Sequence, residues 1–150
     1  LGCSLSLAPE EITGSEESEK KSANLETTFS GECNDAMNQR FIAVISSQIE
    51  DLRELNFETA YRWAAPEFRD SNSLEVFTTV IKSNYSSLLN ARSAFFANCI
   101  VYEDLWGSTR VTVQTYDGEL KTYTYRMILA TEEGWRVFGV SREPELRSLS

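Results

Sequence analysis

Apolar residues recur at helical spacing in the first half of the folded part of the chain and at strand spacing in the second. Met37, Phe41, Val44, Ile45, Ile49, Leu52 and Leu55 follow one another at intervals of three and four, with Gln48 the one polar interruption. That period predicts an amphipathic helix over 35–55, with Asn34 as its N-cap. A shorter helix is predicted over 58–65, with Asn56 near its start. Pro66 either ends that turn or opens another at its first position. Ser73 is the N-cap of a third helix, whose core face is Phe77, Val80 and Ile81, with Tyr85 the next position on it. From Ser93 onward β-branched and aromatic residues dominate and the period becomes two, predicting strands at 94–104, 108–116, 120–131 and 135–142. Trp106-Gly107-Ser108, Asp117-Gly118 and Glu132-Glu133-Gly134 fall between them. The Asp-Gly pair is a strong two-residue hairpin signal, because that turn needs positive φ. Helices followed by three hairpins in series predict an α+β domain, with N-terminal helices packed on a four-stranded antiparallel meander.

Composition narrows the chemistry. The 150 residues carry 23 acids, 14 bases and no histidine, a formal charge of -9. An acidic surface argues against nucleic acid, whose phosphates need a basic face. Without histidine a Ser–His or Cys–His nucleophile is excluded, and a zinc site loses its usual imidazole ligand. The three cysteines, Cys3, Cys33 and Cys99, lie 30 and 66 residues apart, which is not metal-ligand spacing. No apolar run approaches the roughly 20 residues needed to span a bilayer, so no transmembrane segment is expected.

The charge is unevenly placed. Residues 1–35 hold a net -6 and residues 36–150 a net -3. This divides the chain into an acidic extended tail (1–33), a domain (34–143) and a C-terminal tail (144–150). The stretch 10–26 has little to bury, so as a free tail it is expected to be disordered unless a partner surface holds it. Glu10, Glu11, Glu16, Glu17 and Glu19 are then candidate partner-binding carboxylates. Leu1-Gly2-Cys3 is similar to the end of a bacterial lipoprotein signal, and a trimmed organelle transit peptide explains the non-Met start equally well.

Several short stretches together resemble a known family. They are Phe57-Glu58-Thr59-Ala60-Tyr61, Ala64-Ala65-Pro66-Glu67-Phe68, Tyr85-Ser86-Ser87-Leu88, Tyr125-Arg126-Met127 and Gly134-Trp135-Arg136-Val137-Phe138-Gly139-Val140. Over about residues 38–142 the chain resembles a domain family of unknown function, found in photosynthetic bacteria and algae, within the nuclear transport factor 2-like superfamily. The resemblance implies a cone: a curved sheet wrapped around a pocket that the helices close. It implies no activity, because that fold hosts enzymes, binders and scaffolds alike.

Enzymes of that superfamily place an Asp–His or Tyr–Asp set inside the cone. Here only the second is conceivable, drawn from Tyr61, Tyr85, Tyr102 and Tyr125 with Asp51, Glu54 or Asp104. The plainer alternative is tyrosines that fill the core with their hydroxyls at its edge. Arg126 lies on the face opposite Tyr125 and Met127, either as a solvent-side arginine or, turned inward, as an anchor for a carboxylate or phosphate. Tyr61, Tyr85, Tyr102 and Arg126 are therefore the pocket candidates. Trp135 is expected to pack on the first helix and Arg136 to point outward. Trp106, at a hairpin tip, either packs locally or anchors a partner. Cys33 and Cys99 are expected as free thiols, with a disulfide between them as the alternative.

These readings favour a non-catalytic accessory subunit peripheral to a larger membrane-associated assembly. The expected partners are other protein subunits, with no metal, cofactor or catalytic residue. Size and element order are similar to those of a stromal extrinsic subunit of algal photosystem I, which implies the plastid stroma at the thylakoid surface. The alternatives are a small-ligand binder or a lyase- or isomerase-like enzyme using the cone, and a lipoprotein of the bacterial periplasm. Filling of the cone by Phe41, Phe77, Phe95 and Phe138 would exclude the enzyme. A dry cavity holding a tyrosine–carboxylate pair would revive it.

Overall fold

The computed structural model describes residues 29–143. The acidic stretch carrying Glu10, Glu11, Glu16, Glu17 and Glu19 lies outside the described residues, as does Cys3.

The first helix, α1, spans Asp35–Arg53 and buries Phe41, Ile45, Gln48, Ile49 and Leu52. Asn34 caps it, its side-chain oxygen accepting from the Met37 N–H at 2.9 Å. The helix stops two residues short of the predicted end. Leu55 turns into the left-handed region at φ 60 and leaves the apolar stripe for solvent. Helix α2 (Phe57–Arg62) is also shorter than predicted. The reason is tertiary: Ala64 forms a parallel bridge with Val137, so 63–65 serves the sheet edge rather than a helix. Pro66 then opens α3 (Pro66–Ser71) at its first position. Ser73 caps α4 (Leu74–Asn84) by accepting from the Val76 N–H at 3.1 Å. A single turn, α5 (Ser86–Leu89), leads into the sheet.

The sheet has six strands, not four: β1 (Gly31–Glu32), β2 (Ala91–Phe96), β3 (Ile100–Tyr102), β4 (Trp106–Thr115), β5 (Leu120–Ala130) and β6 (Gly134–Arg142). Strands β3 to β6 form the expected antiparallel meander, and β2 pairs with the second half of β4. The single strand expected over 94–104 is thus two. It breaks at 97–99, where side chains take over the backbone groups. Thr109 donates to the Ala97 carbonyl at 2.7 Å, and the Cys99 N–H donates to Asn38 at 3.1 Å. The extra strand β1 comes from the tail side of the chain. Its register on β3 is held by a Cys33–Cys99 disulfide, so the expected free thiols are corrected to a bridge. The paired Cα atoms, 5.3 Å apart, stand at an ordinary spacing for a disulfide.

The core lies between the helices and one face of the sheet. Val111, Val113, Tyr123, Tyr125 and Met127 face Phe41, Ile45, Leu52 and Leu88. Trp135 packs on α1 as expected, its ring 4.9 Å from that of Phe41. Phe41 also fixes Gly107, where a Cβ would fall 2.4 Å from the Phe41 ring. Arg136 departs from expectation. Its side chain is four-fifths buried, with the guanidinium 4.8 Å from the Trp63 ring and Nε 3.3 Å from Glu133. The 63–65 segment crossing the β6 edge supplies that aromatic face.

Candidate functional site

A cavity of about 230 Å³ opens between the helices and the β6 edge. Its walls are mostly apolar, with Leu52, Phe77, Ile81 and Val137 among them, and Val80 stands on it with a good part of its side chain in solvent. Three polar side chains join them: Gln48, Tyr85 and Arg126. Two are already occupied. The Gln48 amide donates to the Ala60 carbonyl at 3.1 Å, and the Tyr85 hydroxyl donates to the Val140 carbonyl at 2.9 Å. Each therefore rigidifies the wall, and each keeps lone pairs for a ligand.

Arg126 is the third. It projects from the sheet face opposite Tyr125, as the alternation predicts, yet it still reaches the cavity. The path is sterically explained. Its cross-strand partner is Gly139, where a Cβ would sit 2.9 Å from an Arg126 terminal nitrogen. A bulge at this point leaves Phe138 extra on β6 and bends that strand. The guanidinium thus lies across the bare backbone of the edge strand. It makes no hydrogen bond or ion pair with any described residue.

The other expected site residues do not converge here. Tyr61 lies behind the cavity wall, its ring 5.5 Å from Phe77, and its hydroxyl donates to the Arg69 carbonyl at 3.0 Å and contacts that of Asn72. Tyr102 is half exposed on β3, remote from the cavity lining. Neither is among the residues that line this cavity. Tyr125 is fully buried, and its hydroxyl has no partner among the described residues. Burial, reinforced by neighbouring Tyr123 and Tyr85, pushes its pKa far up, so it stays neutral. Asp104 accepts from the Phe29 N–H at 2.9 Å in a surface turn. No tyrosine–carboxylate pair forms around the cavity among the described residues. Of the four phenylalanines considered, Phe41 and Phe77 are core, Phe95 is exposed and Phe138 is half-buried.

Gln48 is the site residue that sequence reasoning passed over. Its signal was present as the one polar residue in an apolar helical stripe, which in a packed core demands a partner. Trp106 keeps an exposed edge while its ring meets Phe138 edge-on at 5.3 Å. Among the described residues no helix is long and apolar enough to cross a membrane, and no group of three potential ligands could hold a metal.

The structure thus defines an α+β domain with an open antiparallel sheet and a small apolar cavity rimmed by an unpaired arginine. The family model for a domain of unknown function, DUF4864, matches residues 34–148, and the chain belongs to that family. No curated protein and no solved structure matches it.

Proposed function

We propose that the domain is a non-catalytic binding module that takes a small amphipathic anion in the cavity. The observation that carries this is Arg126, an unpaired cation at the rim of an otherwise apolar chamber. A free guanidinium beside apolar walls matches a ligand with an apolar body and a carboxylate, sulfonate or phosphate head. The chamber is smaller than the roughly 300 Å³ at which drug-sized sites begin, so the ligand is correspondingly small. What favours binding over catalysis is the lining itself: its hydroxyl and amide are engaged by backbone, and none of its described side chains is a carboxylate or a thiol. The order of helices and meander supports a nuclear transport factor 2-like cone.

The location proposed with it is an oxidising compartment, since disulfides persist there and are reduced in most cytosol-like ones. The Cys33–Cys99 bridge therefore supports the bacterial periplasm over the plastid stroma. Titration with naphthoate, followed by its fluorescence, tests the cavity. Saturable binding that Val80→Trp abolishes is expected, and binding indifferent to that substitution would refute the site.

The accessory-subunit reading stands second, on a separate observation. Glu103 and Asp104, both left-handed at φ 55 and 56, form a turn that holds Tyr102, Leu105 and Trp106 partly in solvent. Left-handed non-glycine backbone is costly, and it persists where the surroundings over-determine it. Such a corner suits a protein partner, with the tail carboxylates adding contacts that strengthen at low salt. The photosystem I assembly is the particular form of this reading, and it requires the bridge to survive in the stroma. Loss of co-purification with a membrane complex on Trp106→Asp, in an otherwise folded chain, is the outcome it predicts.

A further inference from the structure

Among the described residues the edges of β3 and β6 are covered, and that of β2 is open. The edge of β3 is covered by β1, which the Cys33–Cys99 bridge holds in place. The edge of β6 is covered by the 63–65 segment, with the Ala65 N–H on the Val137 carbonyl at 2.8 Å and the Val137 N–H on the Trp63 carbonyl at 2.9 Å. Strand β2 pairs only with β4. The Ala97 N–H donates to the Arg110 carbonyl at 2.9 Å, so residue 97 faces β4. By alternation 95 and 93 face it too, and the N–H and C=O groups of Ala94 and Phe96 point away. Those four groups bond to no described residue.

An open edge is ordinarily blunted by a bulge or a charge. Here the bulge and the charge come together at Arg92, before the regular ladder of Ser93 to Phe96 begins. Beyond Arg92 the edge is not blunted but walled. Ser46, Glu50 and Arg53, spaced one helical turn apart on α1, stand opposite Ala94 and Phe96 across a slot of about 220 Å³. A strand edge facing a helix across a slot is the arrangement that receives an extended peptide as an added strand.

We propose that this slot binds an extended segment of another protein by strand addition to β2. The partner's backbone fills the four open groups of Ala94 and Phe96, about 4.8 Å from β2. Small side chains on β2, Ala91, Ser93 and Ala94, leave room for its side chains. Charge sets the sequence it prefers. Arg53, on the slot wall, makes no ion pair with any described residue, whereas Glu50 stands one turn back along α1. The segment therefore carries an acidic side chain at the arginine end and a neutral one beside Glu50.

The test uses the full chain and a fluorescein-labelled Thr-Val-Thr-Val-Glu peptide, with a Lys-ended counterpart, read by anisotropy. Saturable binding of the Glu peptide is expected, with the Lys peptide weaker. Ala94→Pro removes one outward N–H without touching the β4 ladder and raises the dissociation constant about tenfold. Arg53→Glu inverts the preference between the two peptides. A Glu peptide methylated on its own backbone nitrogens loses binding to the unaltered protein, which reports strand pairing even if Ala94→Pro fails to fold. Three results would each overturn the proposal. One is no saturable binding of either peptide up to millimolar concentration, and another is binding indifferent to backbone methylation and to Arg53→Glu. The third is a wild-type dimer in sedimentation that Ala94→Pro dissociates, which assigns the edge to a second copy.

Discussion

Removing the Cys33–Cys99 bridge should destabilise the whole domain, not only the short strand it holds. The bond joins residues 66 positions apart, so it encloses α1, every other helix and β2. By the chain-entropy argument, a loop of that length restrained in the unfolded state corresponds to about 4 kcal/mol. Replacing both residues by alanine also leaves a small void at Cys99, which is fully buried, adding roughly 1 kcal/mol. The alternative is a local staple. Strand β1 contributes two register pairs, Gly31–Val101 and Glu32–Ile100, and the Cys33 N–H on the Cys99 carbonyl at 2.8 Å. Were the bond to secure only these, its loss would cost about 1 kcal/mol, the net worth of a hydrogen bond or so. Urea unfolding of the Cys33→Ala/Cys99→Ala chain against the oxidised wild type separates the two. The expected loss of about 4–5 kcal/mol corresponds to a fall in Tm on the order of 15 °C for a domain of this size. The urea slope should rise as well, because the unlinked denatured chain exposes more surface. A loss under about 1.5 kcal/mol with an unchanged slope would refute the loop-closure account. Three thiols rather than one, titrated in the natively purified chain after denaturation without reductant, would refute the bridge itself.

Gly107→Ala should destabilise by about 1–3 kcal/mol in thermal or urea unfolding, because the added methyl falls within 2.4 Å of the Phe41 ring and has a backbone carbonyl on its other side. Gly139→Ala should leave Tm nearly unchanged yet weaken anion binding several-fold, since the only atoms it displaces belong to the flexible end of Arg126. Glu133 has its carboxyl held below the usual range, first by the hydrogen bonds from Arg69 at 2.7 Å and then by the charges of Arg69 and Arg136. A lowered folded-state pKa means that this contribution is complete above the unfolded value and disappears as pH falls through the folded one. Glu133→Gln should therefore cost up to about 1 kcal/mol at neutral pH, discounted because the pair is partly exposed. That difference should shrink as the pH of the unfolding measurement falls through the titration of this carboxyl, below the ordinary carboxylate range.

The helical half of the fold was legible because caps and apolar spacing are local. Asn34, Ser73 and Pro66 each act where the sequence places them. What the sequence hid was decided by distant partners. The α2 helix is short because 63–65 is recruited to Val137, and the strand over 94–104 breaks because Asn38 and Thr109 bind its backbone. Strand β1 exists only through β3 and the bridge. The site was half visible. Alternation placed Arg126 on the outer face correctly, but its reach into the cavity depends on Gly139 opposite it, and no spacing along one strand encodes that. Tyr61 and Tyr102 were chosen for their chemistry, and packing gave one a structural hydroxyl and the other a place in solvent.

In the proposed binding module Arg126 holds the anionic head of a ligand whose body lies in the apolar cavity. Naphthoate and its neutral analogue naphthylmethanol share that body and differ in the head, so their dissociation constants, measured on the wild type and on Arg126→Gln, test it directly. The acid should bind the wild type more tightly than the alcohol. The substitution should weaken the acid about tenfold and leave the alcohol unchanged. Equal affinities of acid and alcohol for the wild type, or an acid affinity that survives Arg126→Gln, would contradict it.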